Sequence, residues 1–292
     1  MDKEKSVREE ERYDLIGDIH GHAELLCALV EKLGYVRKGL SYEHPEGRKL
    51  VFVGDLVNRG PDSEGVLKIV RKMWEEGNAY VTLGNHEFRI LQLSAMNKSL
   101  PDPSYEPFVP WFKNLPLFLD LQDIRVVHAA WHISSIALIS QSPVPPHSFI
   151  QATLDKGSPE RKAVDYILKG VKARLPKGSV LRDRFGIVRE KGRLRWWEDL
   201  RGKPFADALF SPMYGNSLEE IPDTKDIDKV EPYPKDDKPV FTGHYCLEPH
   251  VPKINGNVIC IDGCVTCDKR LWGYRYSGNQ PLTKANLVYA EY

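Results

Sequence analysis

No stretch of the 292 residues approaches the roughly 18–20 consecutive apolar side chains that cross a bilayer, so a helical membrane span is excluded. Neither sign of charge is in excess. Lys+Arg and Asp+Glu both number 41 and the formal net charge is zero. That speaks against a nucleic-acid or membrane surface built from bulk positive charge, while leaving room for a local basic cleft. The first residues, MDKEKSVREEER, contain no apolar run and do not read as a signal peptide. Cysteine is scarce: Cys27, Cys246, Cys260, Cys264 and Cys267, an odd count of five. Without an export signal, these read as reduced thiols in a cytoplasm. There is no internal repeat and no low-complexity tract.

What is present is the composition of a globular protein, 41% hydrophobic and 28% charged, in a chain long enough to bury a sizeable core. Short apolar runs alternate with helical patterns in the first third. Tyr13-Asp14-Leu15-Ile16 reads as a strand, and Leu25, Leu26, Leu29, Val30 and Leu33 then share one helical face. Leu50 to Val53 is a second strand, followed by Val66, Ile69, Val70, Met73 and Trp74 at helical spacing. Ala79 to Leu83 is a third, with a helix beginning near His86. This alternation predicts βαβ units and an α/β class. The five prolines of 101–116 predict a loop or lid. A strand resumes at Ile124 to Val127.

From 132 to 238 the rhythm breaks, with SPVPPH at 142–147, a helical stretch near 160–174, a basic run from Lys177 to Arg195, and EPYPKDDKP at 231–239. We read 132–238 as an insertion within a single domain covering 1–292, lying over the core. Strands return at 239–242, 257–261 and 271–276, with Leu287-Val288-Tyr289 at the end.

Several of these strands end in polar residues of metal-ligand type. They are Gly17-Asp18-Ile19-His20-Gly21, Gly54-Asp55-Leu56-Val57-Asn58-Arg59-Gly60, Gly84-Asn85-His86-Glu87, His128 after Arg125-Val126-Val127, and Gly243-His244 after Val240-Phe241-Thr242. In open α/β sheets ligands gather outside the carboxyl ends of strands, so these positions can converge across the 226 residues from Asp18 to His244. Asp18, Asp55, Asn85, His20, His128 and His244 offer carboxylate, amide oxygen and imidazole without thiolate. Such sets suit borderline divalent ions, manganese first, with iron, zinc, cobalt or nickel as alternatives. A single Asp-x-His is weak evidence, since capping or solvation accounts for it; five strand-end motifs together are not explained that way.

GDIHG, GDLVNRG, GNHE, the strand-end His128 and the Gly-His at 243–244 resemble the calcineurin-like metallophosphoesterases, in their phosphoprotein-phosphatase branch of serine/threonine phosphatases and symmetrical dinucleoside tetraphosphatases. The resemblance covers 13–130 and 239–265. It implies a sandwich of two mixed sheets flanked by helices, to which our reading of 132–238 adds an inserted region over the cleft. It also implies two divalent metal ions, one held by Asp18, His20 and Asp55, the other by Asp55, Asn85, His128 and His244, with Asp55 bridging. His86 matches the general acid and Arg59 a phosphate-binding arginine. Both assignments make physical sense, because an imidazole donates protons near pH 7 and a guanidinium forks onto phosphate oxygens.

Three departures stand out. Asn58 occupies the place of an aspartate that pairs with the catalytic histidine, and a neutral amide stabilises an imidazolium less. Leu83 stands where eukaryotic protein phosphatases carry a second phosphate-binding arginine. After His128 comes Ala129-Ala130-Trp131-His132 in place of the family's His-Gly. The expected activity is hydrolysis of phosphate monoesters or phosphoanhydrides by a metal-activated hydroxide. The expected substrate is a phosphorylated small molecule, a dinucleoside polyphosphate or a phosphoprotein, with neither membrane nor nucleic acid as partner. The competing reading is a catalytically weak metal-binding scaffold that recognises phosphorylated partners. Cys264-Val265-Thr266-Cys267 reads as structural, and His22, His132 and His250 as hydrogen-bonding neighbours of the ligands; His44 and His147 read as loop residues. Trp196-Trp197 and the arginines Arg182, Arg184, Arg189, Arg193 and Arg195 are either a solvated basic face with aromatic packing or a substrate-recognition surface.

Overall fold

The computed structural model describes residues 12–139, 143–177, 179, 181–210, 219–278 and 281–292. The charged N-terminal run up to residue 11, residue 142 of SPVPPH and positions 178 and 180 of the basic run lie outside the described residues.

Two five-stranded mixed sheets face each other. The first has the order β16-β15-β1-β4-β5, with β1 at Tyr13–Ile16, β4 at Lys49–Phe52, β5 at Ala79–Val81, β15 at Arg270–Tyr276 and β16 at Leu287–Glu291. β1, β4 and β5 run parallel, while β15 joins β1 antiparallel and β16 joins β15 antiparallel. The second sheet has the order β13-β14-β12-β7-β6, built from β6 (Phe118–Asp120), β7 (Arg125–Val127), β12 (Val240–Thr242), β13 (Ile254–Asn255) and β14 (Val258–Cys260). β7, β12 and β14 are parallel.

Successive strand side chains point to opposite faces, which accounts for the two cores. Leu15, Val51, Val53, Val126, Phe241, Ile259 and Tyr274 fill the space between the sheets. Their neighbours Ile16, Leu50 and Phe52 point outwards to α1 (Ala23–Lys32) and α2 (Ser63–Glu75), meeting Leu25, Leu26, Leu29, Val66 and Val70. A hairpin of β2 (Val36–Lys38) and β3 (Ser41–Glu43) edges this layer. Beneath β1 lies a fully buried carboxylate, Asp14, held by Arg48 at 2.7 and 2.9 Å, by Arg275 at 3.2 Å and by the Tyr35 hydroxyl at 3.1 Å.

α3 (Asn85–Ala95) follows β5. The proline-rich segment does not form the expected loop or lid. It winds into a 3-10 turn, Pro103–Phe108, running into α4 at Val109–Phe112, and buries Tyr105, Phe108, Trp111 and Phe112. Prolines at the first turns of both elements cost no hydrogen bond, because those N–H groups have no helical partner, and the aromatic side chains supply the burial.

α5 (Ile133–Ile139), α6 (His147–Ala152) and α7 (Pro159–Lys169) come next. The expected helix near 160–174 therefore stops early. Gly170, at φ +70°, breaks it and starts β8 (Lys172–Arg174), which pairs with β11 (Lys191–Arg193). A hairpin of β9 (Leu181–Arg182) and β10 (Val188–Arg189) lies between these two in sequence. No helix among the described residues is long and apolar enough to cross a membrane.

Candidate metal centre and catalytic cleft

Five loops leave the carboxyl ends of β1, β4, β5, β7 and β12 on one side of the sandwich. Several bend through left-handed backbone at non-glycine positions, namely His20 (φ 44°), Asp55 (52°), Asn58 (69°), Arg59 (71°) and His244 (71°). Such conformations cost of order 1–3 kcal/mol each and persist only where surroundings enforce them, so their concentration here marks a site. The close approach of the loops needs glycine at two places. A Cβ on Gly243 would lie 1.9 Å from Asp18 Oδ1, and one on Gly84 2.2 Å from the Asp55 amide nitrogen.

Oδ2 of Asp55 is the point of convergence. Nε2 of His128 lies 3.4 Å from it, Nε2 of His20 3.7 Å and Nε2 of His86 3.8 Å. His20 Nε2 is also 4.0 Å from Asp18 Oδ2. His244 joins His128 and Asp55, with ligand atoms of the three within 4.8 Å of one another. The rings are aimed from behind: His20 Nδ1 donates to the Val57 carbonyl at 3.1 Å and His128 Nδ1 to the Val53 carbonyl at 2.8 Å. Those bonds turn Nε2 of each ring towards Asp55, where it offers a lone pair whenever the ring is neutral.

Three atoms of the cluster are buried without a hydrogen-bond partner among the described residues: Asn85 Oδ1, His128 Nε2 and His244 Nε2. An orphaned buried polar atom costs about 1–3 kcal/mol, so three around one carboxylate are accounted for by a further group that they would hold. The oxygen and nitrogen donor set fits a divalent metal. All six side chains expected as ligands are brought to this cleft, with Asp18 additionally accepting from the His244 backbone N–H at 3.0 Å.

The electrostatics match this arrangement. Burial opposes ionisation of Asp55, yet the His128 and His86 imidazoles hold its carboxyl well below the usual carboxylate range. Burial also works against protonation of His128, but Asp55 and Asp18 outweigh it and raise the imidazole to about 10. His20 is pushed down to about 4, chiefly by burial, and His244 well below its ordinary value by burial and then by Arg193.

His86 stands at the open side of the cluster, half-buried. Its Nδ1 accepts from the Asn58 amide at 2.7 Å, and the Tyr105 hydroxyl donates to the Asn58 carbonyl oxygen at 3.2 Å. Burial lowers its proton affinity, against the pull of Asp55. Arg59 faces the cavity with Phe185 stacked on its guanidinium at 4.6 Å and no carboxylate partner among the described residues. The cavity holds about 480 Å³. Besides His20, Asp55, Asn85 and His244, its wall includes Arg182, Arg184, Arg189 and Arg193.

Some expectations are corrected. Trp196 and Trp197 are not a stacking surface; both are buried and pack edge-to-face on each other and on Tyr233 and Phe210. Arg195 bonds to the Leu209 carbonyl and does not reach the cavity. His22, His132 and His250 bond to Tyr292, to Lys229 and Ser135, and to Glu248, rather than to the cluster. Cys246 and Cys264 are joined in a disulfide, in place of the expected reduced thiols, because the loops after β12 and β14 meet beside the cluster; Cys27, Cys260 and Cys267 are free.

Sequence reasoning also missed three supporting residues. Glu87, fully buried, accepts from the backbone N–H groups of Gly84, Asp55, Leu56 and Val57 and so fixes the loop after β4. It was visible as the acid of GNHE. Asp262 accepts from the N–H groups of Cys246 and Cys264, pinning the His244 loop; like Asp18, it is a carboxylate just beyond a strand end. Tyr105 sits among prolines and carried no signal.

The family model of the calcineurin-like phosphoesterases matches residues 12–246. The chain belongs to that family. Among curated relatives it is similar to bis(5'-nucleosyl)-tetraphosphatase PrpE [asymmetrical] from Bacillus subtilis (strain 168), 30% identical over 177 residues, 54% of this chain and 65% of that protein. The protein of the same name from Halalkalibacterium halodurans is 49% identical over 75 residues, 26% of this chain and 30% of that one. The one from Oceanobacillus iheyensis is 34% identical over 137 residues, 40% and 55%. The chain thus spans less than two thirds of the length of these relatives. Among solved structures, a cold-active protein-tyrosine phosphatase of Shewanella sp. superposes with a TM-score of 0.50 at 14% identity, over 92% of this phosphoesterase and 76% of that chain, a likeness of fold alone.

Proposed function

We propose that this phosphoesterase hydrolyses phosphoanhydride bonds of nucleoside polyphosphates, with bis(5'-nucleosyl) tetraphosphates as the first substrate class. The observation that carries the reading is the convergence of His20, His86 and His128 on Asp55 Oδ2, ringed by the orphaned atoms of Asn85, His128 and His244. Asp18, His20 and Asp55 would hold one divalent ion, manganese foremost, and Asp55, Asn85, His128 and His244 a second. When bound, such ions neutralise phosphoryl oxygens and lower the pKa of an attacking water.

The chain's own residues do the rest. Arg59, kept in place by Phe185, forks onto the non-bridging oxygens of the scissile phosphate. The Asn58 amide occupies the Nδ1 lone pair of His86, so neutral His86 carries its proton on Nε2, the atom that faces the cluster. A neutral imidazole N–H is a strong hydrogen-bond donor and a weak acid. It therefore suits a leaving group that tolerates negative charge, as a nucleotide phosphate does, better than an alkoxide. Leu83, fully buried, offers no second cation to a phosphoprotein. The names of the PrpE relatives favour asymmetrical over symmetrical cleavage as the first outcome to test.

The test is to strip the protein with chelator, restore it with manganese, and separate the products of diadenosine tetraphosphate by ion exchange. Release of a mononucleotide with a nucleoside triphosphate is expected, two diphosphates indicating the symmetrical mode. Turnover of phosphopeptides with none of the dinucleotide would sink the substrate assignment. Binding without turnover of any ester would favour the scaffold reading.

A further inference from the structure

The β8–β11 ribbon carries an unusual load of one charge. In its antiparallel register Lys172 stands opposite Arg193 and Arg174 opposite Lys191, while the intervening Ala173 and Gly192 are buried. Alternation along the strands thus turns one face to the protein interior and puts four cations on the other. Like charges directly opposite one another on a ribbon are destabilising. Lys172, Lys191 and Arg193 line the cavity that contains Asp55 and His244.

Three of the neighbouring arginines have carboxylates, while Arg182 bonds to the Gly186 carbonyl. Arg184 pairs with Asp268, Arg189 with Asp183 and Arg195 with Glu198. Lys172 and Arg193 have no ion pair among the described residues, although both are largely covered. Among the described residues Arg193 reaches the Tyr245 carbonyl at 3.4 Å and the Tyr245 ring at 5.6 Å. Asp165, whose charge acts on Lys172, is already bonded to Arg161 and Lys169. Burial and then the Arg193 charge push the Lys172 ammonium down to about 8, so it stays mostly protonated at neutral pH. Asp262 and Asp183 act on Arg193 without an ion pair to it, so two cations with no ion pair among the described residues stand opposite one another in the cavity of the metal-type cluster, a site short of an anion.

Its place relative to Arg59 says which anion. Arg59 stands on the loop after β4 of the first sheet, whereas Arg193 lies against Tyr245, next to His244 on the loop after β12 of the second sheet. Arg59 and the ribbon thus reach the one cavity from loops of different sheets. One phosphoryl group at the cluster engages Arg59; a second, linked phosphate is needed to engage the ribbon. We propose that the β8–β11 ribbon is a second phosphate subsite, in which Lys172 and Arg193 hold a leaving-group phosphate of a polyphosphate chain. This rests on the phosphoanhydride reading above and makes the ribbon the element that separates polyphosphates from monoesters.

The experiment measures binding apart from turnover. Inorganic tripolyphosphate and orthophosphate are titrated calorimetrically into chelator-treated, metal-free protein, for the unaltered chain and for Lys172→Gln, Arg193→Met and, as a charge-matched control, Arg174→Gln on the exposed part of the same face. Lys172→Gln and Arg193→Met should each weaken tripolyphosphate by about 10- to 100-fold, as expected for losing hydrogen bonds to a charged group, with orthophosphate and Arg174→Gln changed by less than about threefold. Lys172→Arg should restore most of the affinity. If Arg193→Met does not fold, Lys172→Gln, at a partly solvated position, decides alone. Equal losses for tripolyphosphate and orthophosphate, or for Arg174→Gln and Lys172→Gln, would overturn the subsite in favour of diffuse charge. With manganese restored, the ratio of kcat/KM for diadenosine tetraphosphate to that for p-nitrophenyl phosphate should fall by a similar factor in Lys172→Gln. If the metal-restored protein hydrolyses neither compound while tripolyphosphate binding follows the pattern above, the subsite stands and the hydrolase reading falls.

Discussion

At Asn58 the amide donates to Nδ1 of His86 at 2.7 Å, and the amide's orientation is itself fixed by the Tyr105 hydroxyl on its oxygen. Protonating His86 at Nδ1 would set N–H against N–H, so this chain of donors adds to the burial that already lowers the imidazole's proton affinity. Asn58→Asp replaces the donor with an anionic acceptor. The pKa of His86 should rise, and an activity limb that needs imidazolium should then fall at higher pH than in the unaltered protein. An alkyl phosphate, whose leaving group needs the proton, should gain over an activated aryl phosphate by about 10²-fold at most. Tyr105→Phe frees the Asn58 amide to turn its oxygen to Nδ1 and should shift the limb the same way, by less. Parallel pH profiles for Asn58→Asp and the unaltered chain would show that this pair does not tune His86. The Asn58–His86 contact was legible in the sequence because both residues sit in compact strand-end motifs. Tyr105 was not, since its effect depends on a proline-rich turn folding back across the cleft.

At the scale of elements, short motifs behind buried strands could be read and the segment between β7 and β12 could not. The stretch Leu50-Val51-Phe52-Val53 is apolar on both faces, because one lies against the opposite sheet and the other against helices; that gives an unbroken apolar run followed by glycine and a ligand. β8 and β11 are three residues each, with cations alternating against a single small buried side chain, a pattern that also fits a helix or a loop. The basic run was visible, but only its pairing register showed which cations face the cavity. Glu87 illustrates an element-scale dependence: one carboxylate at the start of α3 receives four backbone N–H groups at 2.9–3.3 Å and thereby holds the loop that carries Asp55. Glu87→Gln keeps the shape but points an NH₂ group at two of those donors. With about 1–3 kcal/mol for each buried donor left unpaired, unfolding by urea should show a loss of about 2–6 kcal/mol at unchanged m-value. Activity should fall further than stability explains, because the Asp55 loop loses its anchor. A variant with unaltered urea midpoint would show that the loop holds itself.

On the scale of the molecule, the sandwich buries acids at both ends of β1 by different means. Asp14 is neutralised by Arg48 and Arg275, and breaking such a buried pair by removing one partner typically costs about 3–5 kcal/mol. Asp18 and Asp55 at the other end have no arginine or lysine ion pair among the described residues, only histidines. In the metal-free state His128 takes up the charge that compensates Asp55, while burial and then Asp262 raise the Asp18 carboxyl well above the usual carboxylate range. Against the effect of its burial, Asp55 and Asp18 raise it to about 10, compared with an ordinary value of 6.5. A group whose folded pKa is raised contributes stability that is complete below about 6.5 and is lost as pH climbs through about 10. A divalent ion requires the same Nε2 without its proton. Loading the site at pH 7 should therefore release about one proton from His128, and apparent metal affinity should climb about tenfold per pH unit between 6 and 8 from this group alone. The thermal stabilisation that manganese confers should grow over the same interval, as the ratio of free metal to its apparent dissociation constant grows. Isothermal titration of chelator-treated protein with manganese, repeated in buffers of different ionisation enthalpy, measures the proton count. His128→Asn should reduce that count by about one and flatten the pH dependence while leaving the Asp14 end of β1 intact. A count near zero at pH 7 in the unaltered protein would mean that His128 is already neutral, and that the buried carboxylates are compensated by some other group.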